Sequence, residues 1–460
     1  MRLFPSELYV DDYEGFTPAK DIFARKEFGE GLGNLFANVD DPMVAVLDAP
    51  WGSGKTTFIK MWCGHMRNQG FPVIYFDAFK NDYTDDAFLA LAGEVIALAD
   101  DLDPIDAEAR KGFLLKAKQV AWAATKGGLR KGLSKLFGED GVEEIGAAIA
   151  EDSANCLLGF GDAYLQEKLE GRKKERDAFR AFGDALKVLS SELSKAMQTR
   201  EETSEEADSK PTQKALIFVI DELDRCKPPF ALDLLEKAKH FFSVPNIHFL
   251  LVTHMEQLEN SVRFAYGMDG QAGTYLQKFY HLVLGFPAEK DIHGYTSIEK
   301  YLAKLFTELP EDGEGGQYSS DLRAIITSYA KQKNITFRSL ERIATQIGIF
   351  LASTRKNQLR LCPIVAPLCI MKFISPDLYK KAQSQIITLD EVYNFMAFDE
   401  ADHAGALCKM WWGFCIGDEK YFEENRNVME SCRNSLFRYS IGSRDGIVPF
   451  MCSLIDRLKI

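Results

Sequence analysis

The first part of the chain alternates short apolar runs with stretches of helical periodicity. Apolar residues recur at helical spacing over residues 21–38, and the run Asp40-Asp41-Pro42 ends that stretch. The pattern then predicts, in order, a strand at 43–47, a helix from Lys55, a strand at 71–76 and a helix at 84–100. Strands that alternate with helices in this way predict a parallel sheet.

The pattern changes after residue 100 and returns after residue 213. Residues 101–213 are helical in character and strongly charged, and they include the acidic run 201–208. Strand patterns return at 215–220 and 247–253, with a helix at 230–242 between them. Beyond Pro287 the pattern is helical almost to the end, with breaks near 311–316, 363–367 and 442–446. The sheet is therefore expected to be interrupted by a helical insertion.

Composition narrows the class of protein. A chain of 460 residues, 46% hydrophobic and 27% charged, is typical of globular proteins with two or three structural units. Its formal net charge of −13 argues against coating nucleic acid by bulk electrostatics. The nine cysteines lack metal-site spacing and indicate reduced thiols. With no secretory signal and no apolar window of about 18 residues, we expect a cytoplasmic protein without a transmembrane segment.

A phosphate-binding loop is predicted between the first strand and the helix at Lys55. The sequence APWGSGKTT, residues 49–57, fits the pattern GxxxxGK[ST], except that Ala49 replaces the first glycine. Glycines let backbone N–H groups surround phosphate oxygens, and the helix N-terminus adds partial positive charge. A chance glycine-rich turn is the alternative, which the flanking strand and helix disfavour. The residues expected to bind nucleotide are Pro50, Trp51, Gly52, Ser53, Gly54, Lys55, Thr56 and Thr57.

Two adjacent residues of this loop have distinct expected roles. Lys55 should neutralise the β- and γ-phosphates, and the Thr56 hydroxyl should ligate Mg²⁺. The sequence ALIFVIDELDRC, residues 215–226, supplies the second half of the site, because its strand delivers carboxylates to the edge where α/β sheets bind ligands. Asp221 is the expected second protein ligand of Mg²⁺.

Two further carboxylates compete for one catalytic role. Glu222 could orient or deprotonate the attacking water, and Asp224 is the rival for that task. The alternative is that these acids merely favour the start of a solvated helix. Thr253 and His254 end the next strand at the same edge, where a polar side chain could sense the γ-phosphate or hold the water. A histidine that only caps the following helix is equally compatible with the sequence.

The sequence resembles the KAP family of P-loop NTPases. WGSGKTTF, YFDAFKNDY, FVIDELDRCKPP, NIHFLLVTHMEQLENSV and YLQKFYHLVLGFP, in this order, carry the resemblance over residues 21–287. It implies ATP rather than GTP, an additional-strand ATPase core related to AAA-like and STAND proteins, and a helical lid after the core. The lid helix is expected at 335–343, where Arg338 would reach the γ-phosphate, or else lie on a surface. Family likeness alone makes Arg225 and Lys278 candidates for completing a neighbouring subunit's site.

Together these observations predict an α/β P-loop NTPase fold with a parallel sheet, an insertion between the two motifs, a helical lid and a helical C-terminal region. The expected division is an N-terminal helical linker 1–40, the core in two parts 41–100 and 214–290, the insertion 101–213, the lid 291–352 and the C-terminal region 353–460.

One segment of the insertion stands out by its charge. Residues 112–137 contain six basic residues and no acidic one, interleaved with apolar residues. Such a helix could lie on a membrane surface or bind nucleic acid or an acidic partner. Packing against acidic neighbours in the same chain is the simpler interpretation.

The leading functional hypothesis is an Mg²⁺-dependent ATPase that works as a nucleotide-driven switch. The resemblance suggests a homo-oligomer or a partner protein, and bacterial anti-phage defence with a partner effector as a setting. A nucleotide-dependent scaffold with little turnover is the alternative. A kinase built on the same loop is the third hypothesis.

Overall fold

The computed structural model describes most of the chain outside the insertion. The described residues are 8–83, parts of 90–97 and 180–194, 214–239, 244–287 except 269, 296–309 except 308, 317–333, 335–355, 358–398, 402–436 and 443–458. The basic segment 112–137, the acidic run 201–208 and the break predicted at 311–316 lie outside these residues, as does most of the helix predicted at 84–100. The division into six segments stays a prediction.

Five parallel strands form one sheet, which confirms the predicted fold class. The strands are β1 Met43–Asp48, β2 Val73–Asp77, β3 Leu216–Asp221, β4 Ile247–Thr253 and β5 Leu282–Gly285, in the order β2-β3-β4-β1-β5. Every residue of β3 and β4 is buried, as expected for parallel strands covered by helices on both faces. All five carboxyl ends therefore lie along one edge of the sheet.

The sequence pattern predicted four of these strands and missed β5. This strand has four residues, lies at the edge of the sheet and pairs only with β1 among the described strands. Its side chains alternate between half-buried and exposed, with Val283 47% exposed. A short edge strand buries too little apolar surface to give the continuous hydrophobic run that marks the central strands.

Helices flank the sheet and form the C-terminal part of the described chain. In chain order they are α1 Lys26–Asn38, α2 Lys55–Asn68, α3 Ala78–Asn81, α4 Pro228–Ala238, α5 Met255–Tyr266, α6 Ala272–Leu276, α7 Ser297–Thr307, α8 Gln317–Lys333, α9 Phe337–Ser353, α10 Cys362–Ile374, α11 Pro376–Gln383, α12 Leu389–Met396, α13 His403–Ile416, α14 Glu419–Glu424, α15 Arg426–Leu436 and α16 Ile447–Ile455. Short 3₁₀ turns lie at Leu223–Arg225, Gln277–Phe279 and Arg444–Gly446.

Two predicted helix boundaries were wrong. The first helix begins at Lys26 rather than residue 21, because the Asp21 carboxylate accepts the N–H groups of Arg25 and Lys26 while Ala24 has a φ of 51°. That left-handed residue cannot continue a helix. The helix predicted at 230–242 begins earlier, at Pro228, because proline is well accommodated in a first helical turn.

The break predicted at 363–367 is also wrong, since α10 runs through both prolines. Pro363 lies in the first turn, where no backbone donor is needed. Pro367 lacks the N–H that would bond to the carbonyl of Pro363, and the indole N–H of Trp412 donates to that carbonyl instead, at 3.1 Å. A side chain from α13 therefore donates the hydrogen bond that Pro367, which has no backbone N–H, cannot donate.

Buried residues from α7 to α16 form one continuous helical core, which joins the predicted lid to the helices after it. Trp411 and Trp412 belong to this core, so these aromatic residues pack inside the protein. Among the helices that the structure describes, none combines the length and apolar character needed to cross a bilayer.

Candidate functional site

The loop between β1 and α2 has the backbone shape that its glycines predict. Gly52 and Gly54 have φ values of 74° and 81°, a region that other residues enter only with strain. Gly54 is the N-cap of α2 and offers no side-chain cap to the first turn. The N–H groups of this turn are therefore left for an external acceptor.

An orphaned polar atom in the same loop supports a fit to phosphate. The Ser53 hydroxyl oxygen is buried and has no hydrogen-bond partner among the described residues. Burying such a group without a partner costs free energy, which a bound anion would recover. The loop residues thus fit a nucleotide phosphate by backbone shape and by an unused donor.

The Lys55 side chain is folded back onto the loop residues that precede it. Its ammonium donates to the carbonyl of Ala49 and, at 3.2 Å, to that of Pro50. Burial lowers the pKa of Lys55, and the charges of Asp224 and Asp221 act against that change. The ammonium therefore lies beside the acidic motif, with loop carbonyls as its acceptors.

Asp221 ends β3 in a fully buried position. The Tyr75 hydroxyl donates to its Oδ2 at 2.9 Å, and the backbone N–H of Glu222 donates to its Oδ1 at 2.8 Å. Burial raises the pKa of Asp221 to about 6, against the hydrogen bond from Tyr75, which lowers it. A buried carboxylate with so high a pKa would gain from a cation.

Glu222 adopts a left-handed backbone conformation with a φ of 59°. One carboxylate oxygen accepts the Thr56 hydroxyl at 3.2 Å, and the other pairs with the Arg225 guanidinium at 2.7 Å. Non-glycine residues in this region cost about 1 kcal/mol or more and are common at functional sites. The two oxygen ligands expected for Mg²⁺, on Thr56 and Asp221, thus lie next to the candidate base.

Asp224 joins three segments of the site. Its carboxylate accepts the indole N–H of Trp51 and, at 3.1 Å, the hydroxyl of Thr253. It therefore connects the loop after β1 with the end of β4. The sequence predicted Trp51 and Thr253 as nucleotide contacts, but gave no sign that both bond to Asp224.

His254 follows Thr253 and lies against the loop. Its ring is 5.8 Å from that of Trp51, centroid to centroid, and its buried Nδ1 has no partner among the described residues. His254 is the N-cap of α5, but its side chain accepts no hydrogen bond from the backbone N–H groups of the first turn. Helix capping therefore does not explain this side chain.

The start of the predicted lid helix, α9, docks on the loop. The backbone N–H of Phe337 donates to the carbonyl of Gly52 at 3.1 Å. A Cβ placed on Gly52 would lie 3.1 Å from the Cβ of Arg338 and 3.2 Å from that of Thr336. Arg338 is therefore next to the phosphate loop through its backbone, with an exposed side chain.

The two candidate residues for a neighbouring subunit's site have partners within their own chain. Arg225 pairs with Glu222, and the Lys278 ammonium lies 3.5 Å from the centre of the Tyr275 ring. Among the residues that the structure describes, Arg225 contacts the candidate site and Lys278 does not.

Sequence reasoning missed three side chains that contact the site. Tyr75 faces Asp221 because β2 and β3 pair side by side, and the alternation of β2 could have suggested which face it occupies. Phe23 and Arg25 contact Gly54 and Ser53 from before α1. No motif marks that segment.

Comparison with known proteins identifies a family for this chain. The family model of the KAP family P-loop domain matches residues 32–354, more than half of the chain. No curated protein matches. Among solved structures, the chain is similar to the Aeropyrum pernix ORC2 protein, determined as ADPNP–ADP complexes, at 12% identity and a TM-score of 0.35, over 98% of this chain and 88% of that one. Similarity at that level identifies no function, and the family match is the decisive finding: the chain belongs to the KAP family of P-loop NTPases.

Proposed function

We propose that this protein is an Mg²⁺-dependent ATPase that works as a nucleotide-driven switch. One observation carries the proposal: the hydroxyl of Thr56, a residue of the phosphate loop, donates to Glu222 of the acidic motif 166 positions away. Lys55, Asp221 and Asp224 lie at the same sheet edge. A loop for phosphates, oxygen ligands for a metal and a carboxylate for water are the parts that phosphoryl transfer to water requires.

Each residue has a role in this proposal. Thr56 and Asp221 are the residues that would hold Mg²⁺, which would supply positive charge against the phosphates. Lys55 exchanges the carbonyls of Ala49 and Pro50 for phosphate oxygens, while Thr56 and Asp221 offer oxygens to the metal. Glu222 orients the attacking water and accepts its proton.

The switch lies in the contact between the loop and α9. Because the carbonyl of Gly52 accepts the N–H of Phe337, movement of the loop around phosphates is transmitted to the lid helix. Arg338, exposed beside this contact, approaches the γ-phosphate when the lid closes. Homo-oligomerisation, or a partner protein, would report that movement. Anti-phage defence with a partner effector is suggested by the family resemblance alone.

A nucleotide-dependent scaffold is the second candidate. Both carboxylate oxygens of Glu222 are already engaged by Thr56 and Arg225, and both of Asp224 by Trp51 and Thr253. A site whose acids are satisfied by the chain itself can bind nucleotide without a free base for water. This arrangement favours binding with little turnover.

Phosphate release and ATP binding by purified protein distinguish the two candidates. We would compare wild type with Lys55→Ala and Glu222→Gln, using the exposed Glu430→Gln as the matched control. The ATPase predicts a loss of about 100-fold or more in Glu222→Gln with ATP binding retained, and loss of binding in Lys55→Ala. DNA, RNA and anionic liposomes are added in turn while oligomer size is recorded. Binding without phosphate release under every condition would favour the scaffold.

A further inference from the structure

A short segment before α1 contacts both the phosphate loop and the lid. We name residues 21–25 the N-terminal strap. It precedes residues 32–354, which the family model matches. Its fold is fixed locally, since Asp21 accepts the N–H of Arg25 and Ala24 is left-handed.

Arg25 reaches the loop from this strap. It is only 6% exposed, and its Nη1 donates to the carbonyl of Ser53 at 2.9 Å. Its guanidinium carbon lies 3.6 Å from the centre of the Phe286 ring, just after β5, and 4.8 Å from that of Phe23. Two aromatic rings and a loop carbonyl therefore fix the orientation of this cation.

The direction of the Ser53 carbonyl sets the direction of the next N–H. The carbonyl and N–H of one trans peptide unit point to opposite sides of the chain. Because Arg25 binds the carbonyl of Ser53 from outside the loop, the N–H of Gly54 in the same peptide unit points the other way. The neighbouring peptide is held similarly, since Gly52 accepts the N–H of Phe337.

Phe23 connects the strap to the lid. Its ring stacks on that of Phe337 with centroids 4.4 Å apart and an angle of 15°, and Tyr301 of α7 packs against both. A Cβ added to Gly54 would lie 3.2 Å from the Phe23 ring. Loop, strap and lid are thus in contact at one place.

We propose that the N-terminal strap is part of the nucleotide site and that Arg25 is its positioning residue. Arg25 holds the Ser53 carbonyl outward so that the Gly54 N–H faces the phosphates, and Phe23 links that geometry to α9. This inference rests on the proposed nucleotide binding. It predicts that Arg25 acts on nucleotide affinity, because the loop contacts phosphate in the ground state and the transition state alike.

The test measures the dissociation constant of a fluorescent ATP analogue with Mg²⁺, together with kcat and melting temperature. Arg25→Ala should weaken binding about tenfold or more, as expected for loss of a charge-assisted hydrogen bond. The kcat at saturation should change less than about threefold. Lys26→Ala is the matched control, because Lys26 is the adjacent, exposed cation, and it should bind like wild type.

Conservative variants separate positioning from loss of fold. Arg25→Lys keeps a donor but loses the planar stack on Phe286, so its affinity should fall between those of wild type and Arg25→Ala. Phe23→Leu and Phe337→Leu should each weaken binding, and the double variant should be no weaker than the worse single variant, since both remove one contact.

The outcomes are distinct. Wild-type protein that does not bind the analogue overturns the proposed function and this inference together. Wild-type binding with equal affinity in folded Arg25→Ala overturns the inference alone. Where Arg25→Ala lowers the melting temperature sharply, Arg25→Lys decides: wild-type affinity in that variant contradicts the positioning role, and a reduced affinity at a normal melting temperature supports it.

Discussion

The indole N–H of Trp51 donates a hydrogen bond to the carboxylate of Asp224, which joins the phosphate loop to the acidic motif. Trp51 is 40% exposed, whereas Trp62, Trp411 and Trp412 are buried. Rearrangement of the loop around phosphates should therefore change the environment of Trp51 most among the described tryptophans.

We expect ATP with Mg²⁺ to change the intrinsic fluorescence of the wild-type protein, and Trp51→Phe to abolish most of that change. Emission spectra with and without nucleotide check this. Trp51→Phe should also lower stability by about 1 kcal/mol, because Asp224 loses one donor. An unaltered ATP-dependent signal in Trp51→Phe would show that the loop does not move at this residue.

Mg²⁺-dependent ATP binding should depend on the hydroxyl group of Thr56 rather than on the size of its side chain. Thr56→Val has nearly the same shape but cannot ligate a cation or donate to Glu222, so we expect Mg²⁺-dependent ATP binding to fall about tenfold or more. Thr56→Ser, the matched control, keeps the hydroxyl and should stay within a few-fold of wild type. Titrations of ATP with and without Mg²⁺ measure both. Equal Mg²⁺ dependence in the valine variant would contradict the metal role.

The ionised carboxylate of Asp221 should lower the free energy of unfolding of the nucleotide-free protein. Its pKa is raised from 3.8 to about 6, so the folded chain binds a proton more readily than the unfolded chain. The ionised form therefore destabilises the fold above about pH 6, and this penalty disappears as the pH falls toward 3.8. We expect Asp221→Asn to raise the melting temperature at about pH 8, and to raise it less at about pH 5.

Asp221→Asn should also lose the rise in melting temperature that ATP with Mg²⁺ causes. ATP with Mg²⁺ raises the wild-type melting temperature if it binds the folded state only, and Asp221→Asn removes a carboxylate from the metal site. Thermal unfolding with and without ligand measures the difference. A variant that is less stable than wild type at pH 8, yet is fully stabilised by ATP with Mg²⁺, would contradict both expectations.

Trp412 should stabilise α10 through its hydrogen bond to Pro363. Trp412→Phe leaves that buried carbonyl without a donor, so we expect a loss of about 1–3 kcal/mol in the free energy of unfolding. Pro367→Ala restores a backbone N–H at the position that normally bonds to Pro363. The double variant should therefore lose less than Trp412→Phe alone, with Trp411→Phe as the neighbouring control. Urea unfolding of all four variants tests this, and strictly additive losses would rule out the compensation.

Part of the site could be predicted because two motifs have fixed places in a parallel sheet. Thr56 lies in the first turn of the helix after β1, and Asp221 ends β3 with Glu222 directly after it, so both motifs must lie at the carboxyl edge. Their side chains are in fact close enough for Thr56 to donate to Glu222. The roles assigned to these residues stay predictions until binding and hydrolysis are measured.

By itself, the sequence determined the parallel sheet, the phosphate loop and the acidic strand end, because apolar periodicity and backbone-specific residues such as glycine act locally. The family was indicated by the resemblance of its motifs to those of KAP NTPases. Only the tertiary structure decided that β5 lies at the sheet edge, that Trp412 completes α10, and that Arg25 reaches Ser53. Each of these depends on contacts between residues far apart in the chain. A hydrogen-bond donor or a stacked ring can come from any segment that packing brings near, so no local pattern specifies it.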